Sequence, residues 1–183
     1  MSKMNNPVNE GLQPLVERLE KSHYNVIVGL CEAARKQANK LHELEIRMAA
    51  SQYVNLCSRL ADEIELYIRN RKTELIPYTY TLFEKSQAGH DCTNCGSGGS
   101  CTLQHDIKLK ELKDSHIQLN DIIHRLQMVA LPLYSETIYP EAYIVLRNQM
   151  ALLENNLAEL YLKETTLLIP KIAEAQKKIN VRD

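Results

Sequence analysis

The chain has 183 residues, 44% of them hydrophobic, which is enough for one domain with a sizeable core. Its 22 basic and 23 acidic side chains leave a net charge of −1, which argues against a large nucleic-acid footprint, and no apolar run approaches membrane-spanning length. The opening MSKMNNPVNE lacks the apolar stretch of a signal peptide. With five cysteines, three of them in one short segment, this points to a reducing cytosol, where clustered cysteines more often mean metal or redox chemistry than a structural disulfide.

Glycine is scarce, and four of the six glycines fall between positions 89 and 99. On either side lie long stretches rich in Leu, Ala, Glu, Lys and Ile, all good helix formers, with β-branched residues too dispersed for strands. A first helix is predicted over residues 12–41 and a second over 45–84, bent near Pro77. Residues 86–100, SQAGHDCTNCGSGGS, read as a flexible connection. A third helix follows over 102–129, a loop containing Pro132 over 130–139, and a fourth helix from Pro140 to about 179.

Two phrases repeat. LVERLEKSH ends at His23 and LKELKDSH at His116; TELIP ends at Pro77 and TLLIP at Pro170. Both offsets are 93 residues, and the same shift places Leu60 on Leu153 and Thr73 on Thr166. The chain therefore reads as all-α: an up-down-up-down four-helix bundle in one domain, made of two repeated helical hairpins. The hairpins cover about 12–85 and 105–179, joined by the Cys/Gly-rich connection 86–104.

Inward stripes follow a spacing of three and four. The first helix supplies Leu12, Leu15, Leu19, His23, Val26, Leu30 and Ala33. The second supplies Tyr53, Cys57, Leu60, Ile64, Tyr67, Arg71, Glu74 and Tyr78. The third gives Leu109, Leu112, His116, Leu119, Ile123 and Leu126, and the fourth Leu146, Met150, Leu153, Leu157, Leu160, Glu164 and Leu168. His23, Tyr67, Arg71, Glu74, His116 and Glu164 interrupt these apolar faces. His23 to Tyr67 and His116 to Leu160 both span 44 residues, so antiparallel hairpins would bring the polar group to one level. Buried charge needs a partner or a metal. One reading is a buried ion pair, Arg71 with Glu164, in place of a metal. The other is a mononuclear metal site of His23, His116 and Glu164 with Tyr67, since two histidines and a carboxylate can hold Fe(II).

A histidine on the first helix, a polar pattern closing the second helix before Ile-Pro, and the same arrangement in the second half resemble the hemerythrin-like (HHE) cation-binding domain, near its repair-of-iron-centres branch. The resemblance runs from about residue 12 to 179. It implies a four-helix bundle around a di-iron site, and a history in iron, oxygen or nitric-oxide stress. His23 and His116 match the family's histidines on the first and third helices, and Glu164 matches a bridging glutamate. At the other positions of the pattern stand Tyr67, Arg71 and Leu160, so the site is degenerate.

The connection carries a second pattern, Cys92-x2-Cys95-x5-Cys101-x3-His105, with His90 as a spare donor. Cys92, Cys95, Cys101 and His105 make a candidate Cys3His zinc site, because thiolate-rich tetrahedral sets suit zinc. A reversible Cys92–Cys95 redox pair and an inert Gly/Ser linker are the competing readings. Cys31 and Cys57 read as small core residues, His42 and His124 as surface or edge histidines, and the tail QKKINVRD as a solvated helix end. No nucleophile–base pair or phosphate loop is readable, so the expectation is a cytosolic binding or sensing protein with no catalytic residues. The alternatives are an active non-haem iron protein and an interaction module, meeting an unknown protein partner, whose working part is a zinc or redox loop.

Overall fold

The computed structural model describes residues 11–42, 48–92, 95, 100–130 and 141–179. The segments predicted as loops between the first two and the last two helices lie largely outside these residues, as do parts of the Cys/Gly-rich connection and the last four residues of the tail. The described residues form four long helices and no strand. Helix α1 comprises Leu12–Leu19, a π-helical turn Glu20–Tyr24 and Asn25–His42. Helix α2 comprises Met48–Asn70, a π turn Arg71–Leu75 and Ile76–Gln87. Helix α3 is Ser100–Ala130. Helix α4 comprises Glu141–Lys163, a π turn Glu164–Leu168 and Ile169–Ile179.

The helices bury their apolar stripes against one another in a bundle-like core that includes Leu15, Leu19, Ile27, Leu60, Ile64, Leu119, Leu126, Leu146, Leu153 and Leu157. Polar pairs tie neighbours together. Arg35 of α1 meets Asp62 and Glu65 of α2, Lys72 donates to Asn25 at 3.0 Å, and Tyr80 donates to Glu17. Between α2 and α3, Arg125 meets Glu63, Arg71 donates to Ser115 and Lys108 meets Glu74. In each set, residue numbers fall along one helix as they rise along its neighbour. None of the described helices is long and apolar enough to cross a membrane.

The π turns correct two of the predicted stripes. In each, an amide reaches back five residues: Asn25 to Glu20, Ile76 to Arg71 and Ile169 to Glu164. The extra residue rotates everything downstream by about 100°. Ile27, Cys31 and Ala34 are therefore buried, whereas Val26 is 43% exposed. On α2, Leu75 and Thr79 turn inward, leaving Glu74 exposed and Tyr78 half-buried. Two of the turns stand just ahead of Pro77 and Pro170. Proline lacks an amide proton and crowds the preceding turn, so a widened turn there relieves a conflict that a regular α-helix would retain.

Candidate functional site

Within the core, two helices deliver opposite charges to one point. Glu164 opens the π turn of α4 and is fully buried; Arg71 opens that of α2 and is 5% exposed. Arg71 Nε and Nη2 donate to Oε1 and Oε2 of Glu164 at 3.2 and 3.1 Å, a two-pronged ion pair. Tyr67 O–H donates to Oε2 at 2.7 Å, and Tyr24 O–H to Oε1 at 2.9 Å. His116 Nδ1 lies 3.2 Å from Oε2 and its Nε2 2.6 Å from Thr165 Oγ1, with its ring stacked on Tyr161 at 4.2 Å. The remaining guanidinium nitrogen donates to Ser115, and the guanidinium also lies over the Tyr67 ring.

The electrostatics follow from this packing. Burial alone would raise the Glu164 carboxyl pKa, but the Arg71 charge and hydrogen bonds from His116, Arg71 and Tyr67 outweigh it and hold the value at about 2. Burial works against the Arg71 cation too, yet Glu164 raises its pKa above the ordinary value. Burial and the Glu164 charge push the Tyr24 and Tyr67 hydroxyls well above their usual range, so phenolate is disfavoured at both.

This layer does not fit a di-iron group. The Arg71 guanidinium stands against the carboxylate where a metal would need to be, and both oxygens of Glu164 already serve four side chains. His23 is buried but does not join them. Its Nε2 accepts from Lys163 Nζ at 2.7 Å, and its Nδ1 has no hydrogen-bond partner. Burial and the Lys163 charge lower its pKa, keeping the ring neutral. Among the described residues, His23, His116 and Glu164 are not one of the groups whose ligand atoms gather tightly enough for one ion. Tyr24, which the sequence pattern did not single out, occupies the place beside Glu164. The π turn at Glu20–Tyr24 presents two consecutive residues to the interior, and the hydroxyl, not the imidazole, reaches the carboxylate.

At the end of the bundle where α2 stops and α3 starts, the cysteines converge. The Cys92 amide donates to the Ile179 carbonyl at 2.8 Å, pinning the connection to the end of α4. Cys92 Sγ and Cys101 Sγ are 3.3 Å apart, and His105 Nε2 lies 3.5 and 3.6 Å from them. All three residues are buried. Cys101 and His105 stand four apart in α3 and so share a face. The far nitrogen of the ring, Nδ1, is 2.9 Å from Tyr78 Oη, which accepts from Gln176 Nε2 at 2.7 Å; Gln176 also donates to the His105 carbonyl. That outer contact fixes the imidazole with Nε2 toward the thiols.

Lys85 Nζ sits 3.0 Å from Cys101 Sγ, and this contact lowers the Cys101 pKa below the ordinary thiol value. Burial pushes Cys92 up to about 11, and burial with the Lys85 charge lowers His105. Cys95 Sγ donates to the Cys92 carbonyl at 3.2 Å and gathers with His90 and Cys101, not with Cys92 and His105. The predicted Cys3His set is thus divided between two groups that share Cys101. Lys85 and Tyr78 reach the cluster from α2 and Gln176 from α4, and no local motif in the sequence links them to the cysteines. Cys31 and Cys57 are core thiols whose pKa values burial raises to about 12 and about 11, and His124 is exposed. The side chain of His42 lies outside the described residues. Comparison with family models, curated proteins and solved structures finds no match to this chain.

Proposed function

We propose that the chain is a cytosolic binding or sensing protein with a hemerythrin-like, up-down-up-down bundle of two repeated hairpins. In this reading the central metal has been exchanged for the Arg71–Glu164 pair, and the working site is at the bundle end, where it takes a thiophilic divalent cation, zinc. The observation that carries the reading is the gathering of Cys92 Sγ, Cys101 Sγ and His105 Nε2 within 3.3–3.6 Å of one another on a buried face. Donors held about that far apart match the edge of a tetrahedron whose zinc–ligand bonds are about 2.0–2.3 Å. The imidazole is oriented from behind by Tyr78, and Lys85 lowers the Cys101 pKa toward the thiolate that a metal requires, whereas Cys92, whose pKa burial raises, gives up its proton as the metal binds.

The repeat supports the architecture: Arg71 and Glu164, which face each other, are 93 residues apart, and each opens a π turn that precedes a proline. The resemblance supplies the setting, a response to iron, oxygen or nitric-oxide stress. The test is zinc titration of the reduced, tag-free protein against a chromogenic chelator. Wild type should take up zinc with high affinity, and Cys101→Ser should lose it while keeping its helical circular dichroism. Equal zinc uptake by the two proteins would overturn the proposal.

A further inference from the structure

The division of the donors has a consequence for how many ions the end site holds. One ion bound by all four of Cys92, Cys95, Cys101 and His105 needs every donor roughly 3.5 Å from the others. Instead, the ligand atoms form two triplets, each with its members within 4.8 Å of one another: Cys92, Cys101 and His105, and His90, Cys95 and Cys101. Each triplet offers two sulfurs and one imidazole nitrogen. Cys101 belongs to both, and a thiolate has lone pairs enough to bridge two ions.

We propose that this end site takes a pair of cuprous ions, one in each triplet, with the Cys101 thiolate bridging them. The inference rests on the reading of this cluster as a thiophilic metal site and adds a second ion and His90 to it. Three-donor sulfur and nitrogen sets suit Cu(I), a soft monovalent ion selected by thiolates. Charge points the same way. Three thiolates with the Lys85 ammonium beside the bridging sulfur leave two negative charges to match, which two monovalent ions do and two zinc ions exceed. Lys85, 3.0 Å from Cys101 Sγ, remains free to hydrogen-bond the bridge from outside.

The experiment is anaerobic titration of the reduced full chain with Cu(I), read against a chromophoric cuprous chelator, with zinc titrated in parallel. Wild type should saturate at two Cu(I) per chain, and X-ray absorption should show a Cu–Cu scattering path. His90→Ala and Cys95→Ser each remove one donor from the more exposed triplet, so each should saturate at one Cu(I) and lose that path. Both residues are half-buried and outside the bundle core, and circular dichroism checks that the fold is kept. Saturation of wild type at one Cu(I), or undiminished binding of two by His90→Ala, overturns the paired site. Zinc distinguishes the two claims. Failure to bind zinc alongside uptake of two Cu(I) would sink the zinc reading and leave the paired site standing; zinc binding with a single Cu(I) would do the reverse.

Discussion

Replacing Glu164 by Gln keeps the side-chain shape but removes the charge that holds Arg71 in the core. The carboxylate accepts from Arg71 Nε and Nη2, Tyr24 and Tyr67, and it contacts His116, all within 3.2 Å. The guanidinium cannot discard its proton, so the variant retains a cation that is 5% exposed and has no counter-ion. Breaking a buried pair from one side costs roughly 3–5 kcal/mol. For a chain of this length that corresponds to a fall in Tm of roughly 6–20 °C. Arg71→Leu alone should also destabilise, by leaving the carboxylate partly unpaired. The double change Arg71→Leu, Glu164→Leu should recover much of the loss, short of all of it because Tyr24, Tyr67 and His116 lose an acceptor. Urea denaturation of wild type, Arg71→Leu, Glu164→Leu and the double variant gives the cycle, with an expected coupling of about 2–3 kcal/mol. Additive single effects would refute the idea that the two groups are stabilised chiefly by each other.

Three further outcomes follow from the same geometry. Glu164 has a folded pKa of about 2, below its unfolded value of about 4.3, so its contribution is fully present above the unfolded value and lost as pH falls through the folded one. Wild type should therefore lose on the order of 3 kcal/mol more than Glu164→Gln between about pH 5 and pH 2, and parallel curves in urea titrations would contradict the assignment. Tyr24→Phe removes a hydrogen bond to a buried carboxylate and should destabilise by roughly 1.5–3 kcal/mol in the same assay, whereas an unchanged midpoint would mean that the bond does little for stability. Tyr78→Phe frees the His105 ring from behind and should weaken zinc affinity by roughly 10–100-fold in competition with a chelator, with little change in melting.

The four helices are legible in the sequence because apolar spacing and the positions of Pro77 and Pro170 survive any local irregularity. The phase of the stripes past residues 24 and 75 is not, because one inserted residue leaves nearly the same pattern. On α1, Val26, Leu30 and Ala33 and their successors Ile27, Cys31 and Ala34 are all apolar, and periodicity cannot choose between the sets. On α2 a signal was available: the predicted stripe put charged Glu74 inward while Leu75 stood beside it. Tyr24 is not legible for a related reason: helical spacing from Leu15 and Leu19 leads to His23, and only the π turn brings the next residue inward as well. The cysteines could be grouped by spacing, but spacing says nothing about Lys85, Tyr78 or Gln176, which reach the cluster from other helices. Nor could it show that Cys95 sides with His90. That division depends on where Cys92 and Cys95 sit relative to the helix ends, which spacing does not encode.

The most direct test of the account is the metal content of tag-free protein purified from cells supplemented with both iron and zinc, comparing wild type with Cys92→Ser, Cys95→Ser. The account predicts zinc in wild type, its loss from the variant, unchanged helical circular dichroism and no stoichiometric iron in either protein. Iron at one or two atoms per chain that persists in the variant would contradict it, and would place the metal chemistry in the bundle interior beside Glu164 and His116.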